Sequence, residues 1–174
     1  MSFRPPISLQ TSINSLILLY HRVAEDPIDS QLLAVSNENF EEHLIHLKNN
    51  FRIISLDDMI SELQSGSILA NTVAITFDDG YLDNFENALP LLEKHRIPAT
   101  IFVTAGMIDQ DRAFWWDALE QIFLSGRKLP DTLSFEHKKY GSKIYNTNTS
   151  EGRFQAWSDL CMILHDQSYK EISE

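Results

Sequence analysis

The sequence predicts an α/β fold built on parallel strands, and three observations carry that expectation. Runs of strand length at Leu16–Tyr20, Arg52–Ile54, Thr72–Phe77 and Ala99–Val103 are apolar or β-branched. Between them lie segments whose apolar residues recur every three to four positions, the period of a helix with one buried face. Polar groups then close two of the runs, His21-Arg22 after the first and Asp78-Asp79-Gly80 after the third. In parallel α/β folds the working groups gather at such carboxyl ends of strands. A sandwich or a helical bundle would keep one period throughout.

In chain order, residues 1–14 are polar, contain Pro5-Pro6 and lack periodicity, which predicts an irregular arm. Leu16 to Tyr20 is a continuous apolar run, the form of a strand buried on both faces. Asn37 is expected to cap a helix in which Phe40, Leu44, Leu47 and Phe51 share a face. Glu38, Glu41 and Glu42 fall in its first turns, where the helix dipole favours negative charge. After Arg52-Ile53-Ile54, Ser55-Leu56-Asp57-Asp58 leads into a second helix through Met59, Ile60 and Leu63, which stops at Ser65-Gly66. The strand Thr72–Phe77 breaks off at the acid pair, and a third helix follows with Leu82, Phe85, Leu89 and Leu92 facing inward. Pro90 lacks a backbone donor and should kink that helix or start a new turn. Ile97-Pro98 introduces the strand Ala99–Val103.

From Phe114 the alternation stops. Phe114-Trp115-Trp116-Asp117 opens a short helix through Leu119, Ile122 and Phe123. Leu133-Ser134-Phe135 and Lys143-Ile144-Tyr145 flank Lys139-Tyr140-Gly141-Ser142 as a hairpin, and Ser150 is placed to cap a last helix through Phe154, Trp157, Leu160 and Leu164. This change of texture divides the chain into residues 1–110 and 111–174. Cys161, the single cysteine, falls on the apolar side of the last helix and reads as core.

Composition narrows the partners. With 25 acidic against 14 basic residues the formal charge is -11, which repels phosphate backbones and anionic membranes. No stretch approaches the roughly 18 apolar residues of a membrane span. No leader with a small-residue cleavage site is visible, so a cytoplasmic location is expected.

The chemistry concentrates at Asp78 and Asp79. Neighbouring side chains on an extended strand point to opposite faces, so the two carboxylates converge on one site only where the strand is already turning. Gly80 supplies that turn. Two readings stand: a polar turn that caps a helix, or a pair offering one carboxylate to a metal and the other to a water molecule. A His-ending strand in the same sheet brings the second level with the first.

At this point the residues resemble the polysaccharide deacetylases that share the NodB homology domain, also called carbohydrate esterase family 4. The resemblance runs through Leu19-Tyr20-His21-Arg22, Phe40-Glu41-Glu42-His43-Leu44, Thr76-Phe77-Asp78-Asp79-Gly80-Tyr81, Ala88-Leu89-Pro90-Leu91-Leu92 and Ile97-Pro98-Ala99-Thr100-Ile101-Phe102-Val103. It implies the amino-terminal part of a deformed (β/α) barrel, with Phe114 onward as a helix-hairpin-helix insertion. It also implies a metal-dependent hydrolase that removes N-acetyl groups from a polysaccharide or related glycan. Asp78 would be the catalytic base and Asp79 a ligand to a divalent metal ion, with Zn2+ the expected one. In such a site the metal polarises the acetamide carbonyl and acidifies its bound water, Asp78 takes the proton, and acetate and a free amine leave. His21 resembles a histidine that lies near the active-site rim, and a site-lining and a structural role stay open for it.

The departure from the family pattern is that no His-x-x-x-His segment, Arg-x-Pro segment or later catalytic histidine follows the acid pair. A catalytic zinc needs three protein ligands, so Asp79 alone does not hold it tightly. Truncation is the expected explanation, leaving this chain inactive by itself and its uncovered strands open to self-association. The alternative is a non-catalytic relative or partner-binding module. A magnesium site for phosphoryl transfer is a third reading, with Thr104 available after the last strand but no lysine placed beside it. His43 and His46 share a helix face with glutamate and lysine around them, which reads as solvated surface. Phe114, Trp115 and Trp116 either stack on sugar rings or pin the insertion in place.

Overall fold

A computed structural model describes residues 15–25, 28–165 and 167, so the expected arm at residues 1–14 lies outside the described residues. The backbone groups into two compact units, Met1–Ala105 and Gly106–Glu174.

The first unit is organised by its most β-branched segment. Parallel strand β1 (Ser15–Tyr20) leads to a short pair, β2 (Arg22–Val23) with β3 (Ala34–Val35), then helix α1 (Asn37–Asn50). Strand β4 (Arg52–Ile53), helix α2 (Leu56–Ser65), strand β5 (Thr72–Phe77), a π-helical turn at Asn84–Ala88, helix α3 (Leu89–His95) and strand β6 (Ala99–Ile101) follow. β5 is central: β1 runs parallel to it from Ser15↔Thr72 to Tyr20↔Phe77. On its other side β4 pairs at its start and β6 from Ile75↔Ala99 to Phe77↔Ile101.

Every residue of β5 is buried. Val73, Ile75 and Phe77 pack with Leu16, Leu18, Tyr20, Phe40, Leu44 and Leu92, while Ala74 packs with Ile54 and Met59. Phe40 meets Tyr20 and Phe77 edge-on, with centroids 5.1 and 5.9 Å away. Such aromatic pairs add about 1 kcal/mol each beyond area burial. β1 departs from the expectation of burial on both faces. Ile17 and Leu19 are 54% and 53% exposed, because the helices cover only the face of Leu16, Leu18 and Tyr20.

Helix ends follow local chemistry. The α1 cap is Ser36, whose hydroxyl accepts from Asn39 N–H at 3.2 Å, so Asn37 is the first helical residue and not the cap. Serine caps as well as asparagine, and Ser36 already has extended backbone. α2 is capped by Ser55 and closed by left-handed Gly66. The third helix differs more. The π turn adds a residue to one helical turn, and Asn84, Ala88 and Leu92 face inward while Leu82 and Phe85 are 67% and 68% exposed. Pro90 stands in the first turn of α3, directly after the π turn, where the hydrogen-bonding pattern changes.

The second unit is a helix, a hairpin and a helix: α4 (Trp115–Phe123), β7 (Thr132–His137), β8 (Gly141–Asn146) and α5 (Ser150–His165). β7 and β8 are antiparallel from Thr132↔Asn146 to His137↔Gly141. Phe123, Tyr145, Ala156, Trp157 and Leu160 form its core, with Cys161 packed against it. Phe154, read as inward from the spacing, is 53% exposed. The buried stripe of α5 runs instead through Ala156, Trp157, Leu160 and Ile163. Asp159 accepts from Lys143 at 2.7 Å and from the Tyr145 hydroxyl at 3.2 Å, tying α5 to β8. Among the described residues no helix is long and apolar enough to cross a membrane.

Candidate active site

The carboxyl end of β5 turns abruptly. Asp78 N–H donates to the Tyr20 carbonyl at 2.9 Å, extending the β1–β5 ladder by one residue and setting Asp78 beside the His21 end of β1. The chain then enters two consecutive left-handed residues, Asp79 at φ 69° and Gly80 at φ 71°. Gly80 N–H closes the turn on the Asp78 carbonyl at 2.9 Å. Only glycine suits this position: a Cβ there would meet Val103 Cγ1 at 2.8 Å and Val103 Cα at 3.2 Å. The segment after β6 comes alongside, with Phe102 N–H on the Phe77 carbonyl at 2.8 Å and Thr104 N–H on the Asp79 carbonyl at 3.4 Å.

The turn makes Asp78 and Asp79 neighbours at one strand end, both half-buried. Burial pushes the Asp79 carboxyl above its ordinary value; His21 draws it down, Asp78 adds to the rise, and a hydrogen bond with the Thr104 side chain draws it down again. A left-handed aspartate with a perturbed carboxyl is strain at a named residue, the kind that clusters at working sites.

His21 is held at the same end. Its carbonyl accepts from Asn84 Nδ2 at 2.8 Å. Arg22 Nε donates to Asp83 Oδ2 at 3.0 Å, and Val23 N–H donates to Asp83 Oδ1 at 3.1 Å. Asn87 Nδ2 donates to the Val23 carbonyl at 2.7 Å, and the Arg22 guanidinium lies 4.9 Å from the Tyr81 ring centre. Asp83, Asn84 and Asn87 do not stand out in the sequence. The spacing turned Leu82 and Phe85 inward, whereas the buried period is Asn84-Ala88-Leu92, and nothing in the sequence marks Asp83 or Asn87.

The other histidines of the first unit have different neighbours. His43 is exposed and lies 3.2 Å from the Tyr20 hydroxyl, and His46 is exposed near Asn50. His95 Nε2 lies 2.7 Å from Glu41, which also pairs with Lys94 at 2.6 Å. Among the described residues no group of three or more His, Cys, Asp or Glu side chains is arranged to hold a metal ion. The acid pair offers carboxylate oxygens, but the residues present do not fit a zinc site with three protein ligands. Phe114 stacks on Trp116 at 4.6 Å with Trp115 edge-on at 5.3 Å, and all three are half-buried, so much of their ring surface is spent on one another.

The model of the family described as polysaccharide deacetylase matches residues 67–156, which include the acid pair and reach into the second unit. YxkH of Bacillus subtilis (strain 168) is 35% identical over 89 residues, covering 50% of this chain and 30% of that protein. Poly-β-1,6-N-acetyl-D-glucosamine N-deacetylase of Staphylococcus aureus (strain MRSA252) is 29% identical over 121 residues, 62% of this chain and 42% of that enzyme. The chain therefore spans less than half the length of these curated relatives. Among solved structures, the Streptococcus pyogenes deacetylase PplD, determined with acetate, superposes with a TM-score of 0.51 at 24% identity, over 62% of this chain and 50% of that one. The shared architecture is that of the NodB-type deacetylases, of whose barrel this chain holds part.

Proposed function

Because the chain belongs to the polysaccharide deacetylase family, we propose that it carries the acid side of a site that hydrolyses N-acetyl groups on a glycan. The observation that carries this reading is the placement of Asp78 and Asp79 in a strained turn at the carboxyl end of the central strand, beside His21. Asp78 is the base. As the oxygen of a water molecule bonds to the acetamide carbonyl carbon, Asp78 takes its proton; that proton is passed to the nitrogen as the C–N bond breaks, so the amine leaves neutral and the acetic acid formed ionises to acetate. The relative from Staphylococcus aureus, named for poly-β-1,6-N-acetyl-D-glucosamine, points to a polymer of N-acetylated hexosamine as the substrate class.

Asp79 is assigned as one ligand of a divalent metal ion, zinc by the chemistry of this reaction class. The described residues do not complete a site for that ion. On this reading the remaining donors come from outside the described residues, and the present chain is expected to be inactive by itself. The test is acetate release from N-acetylglucosamine oligomers by the product of the whole reading frame. Asp78→Asn is expected to lower kcat by about 10²–10⁴-fold with little change in KM. An unchanged kcat sinks the base assignment. Tight one-to-one zinc binding by the present chain would refute the claim that its site is incomplete.

A non-catalytic, partner-binding role is favoured by a different observation. Ile17, Leu19, Ile101, Phe102 and Val103 are all large, apolar and at least 42% exposed. They flank β5 on its two sides, and exposed apolar flanks of this kind suit association with another copy of the chain.

A further inference from the structure

We propose that Asp83, Asn84 and Asn87 are positioning residues of the acid-pair site, holding the strand end that carries His21 alongside Asp78 and Asp79. The inference rests on the reading of that site given above and assigns these residues no contact with substrate.

The β1–β5 ladder ends where Asp78 N–H meets the Tyr20 carbonyl. Past that point β5 turns away and no longer fixes the partner chain. On one side β3 and the residue before it take over, with Arg22 N–H on the Leu33 carbonyl at 3.2 Å and Ala24 N–H on the Val35 carbonyl at 2.9 Å. The remaining polar groups of His21, Arg22 and Val23 turn the other way, and side chains meet them. Asn84 holds the His21 carbonyl, Asp83 holds both the Arg22 side chain and the Val23 N–H, and Asn87 holds the Val23 carbonyl. A further bond from Asn84 Nδ2 to Asp83 Oδ1 at 3.2 Å joins two of the three.

All three belong to the short segment that leaves Gly80, so the turn carrying the acid pair and the strand end carrying His21 are braced to each other across about sixty residues of sequence. Burial makes the brace strong and selective. Asn84 is 2% exposed, and the Asp83 and Arg22 side chains are 12% and 24% exposed. A charge-assisted pair shielded this far from water is worth more than a surface ion pair. Packing β1 against a helix needs no buried carboxylate; apolar side chains do that without the desolvation cost. What the polar set adds is a fixed backbone orientation at His21. The π turn serves the same end by bringing Asn84 to the inside.

The test uses the present chain with ¹³C-labelled histidine at a fixed pH of about 9, where imidazoles are neutral. His21 is identified among the six histidines by the peak that His21→Gln removes. Introducing Asp79→Asn is expected to displace the His21 ring resonance more than any other. In an Asp83→Ala background that displacement is expected to be lost, while Leu44→Ala, which weakens the core without touching the brace, keeps it. An undiminished displacement in Asp83→Ala overturns the positioning role and leaves the acid-pair reading intact. No displacement even in the parent chain overturns the sharing of one site by His21 and Asp79. If Asp83→Ala does not fold, Asp83→Asn decides in its place. It keeps an oxygen for Val23 N–H but loses the charge facing Arg22, so a reduced displacement supports the brace and an unchanged one sinks it.

Discussion

Asp79 combines a left-handed backbone at φ 69° with a carboxyl that burial holds above its ordinary value. Both are costs of the folded state. The sign of the second follows from linkage: the ionised form is less favourable folded than unfolded. Stability on this account is therefore full below the unfolded carboxylate range and falls as pH rises through the raised folded value. Asparagine carries no charge at any pH and accepts the left-handed region at least as well. Asp79→Asn should raise the urea midpoint at about pH 7, and the gain should shrink by about pH 3, where aspartate is protonated as well. An equal gain at both pH values would assign the whole effect to the backbone. Gly80→Ala tests the neighbouring position, where the new Cβ meets Val103 and φ is 71°. The expected loss is about 1–3 kcal/mol by urea denaturation. At this scale the turn was legible, because a β-branched run that breaks off at Asp-Asp-Gly must leave the strand there, and the structure turns at Asp79 and Gly80. The residues that brace His21 were not, since Asp83, Asn84 and Asn87 read as an ordinary polar helix start until their long-range partners are seen.

Elements were legible where one period governed the whole segment. In α1 the stripe Phe40, Leu44, Leu47 is the one that is buried, and β5 needed only its composition. The reading failed where geometry changed inside an element. The π turn at Asn84–Ala88 exchanges the inward face, and Phe154 lies outside the stripe that α5 buries. The two-residue strands β2 and β3 left no pattern to read, though they help hold Arg22. Cys161 offers a test of packing in α5. Burial, with Glu120 adding to it, pushes its thiol up to about 11. The thiolate is the reactive form, so at about pH 8 the folded chain should react with a thiol reagent about 10²-fold more slowly than the urea-unfolded chain. Equal rates, followed by absorbance of the released thiol, would show that α5 does not shield Cys161.

At the scale of the molecule, the first unit has a covered centre and uncovered flanks. Among the described residues β1 and β6 each pair only with β5, so each turns one edge outward. Near those edges Ile17 and Leu19 on one side and Ile101, Phe102 and Val103 on the other are 42% to 60% exposed. Beside β6 an apolar groove of about 380 Å³, lined in part by Phe85, Leu89, Leu92 and Ile101, runs against α3. An open parallel edge with apolar side chains on it is a template for pairing, since unpaired backbone groups and exposed hydrocarbon are satisfied together. The formal charge of -11 opposes close approach of copies, and salt screens that repulsion. The chain is accordingly expected to associate reversibly with rising concentration, more at high than at low ionic strength, as read by sedimentation velocity. Ile101→Lys places a charge at the β6 edge and should shift the equilibrium toward the monomer, with circular dichroism showing the fold retained. A chain that stays monomeric at every concentration and salt would mean that these flanks are too irregular to pair. Association unchanged by Ile101→Lys would move the contact to the β1 edge, where Leu19→Lys is the corresponding substitution.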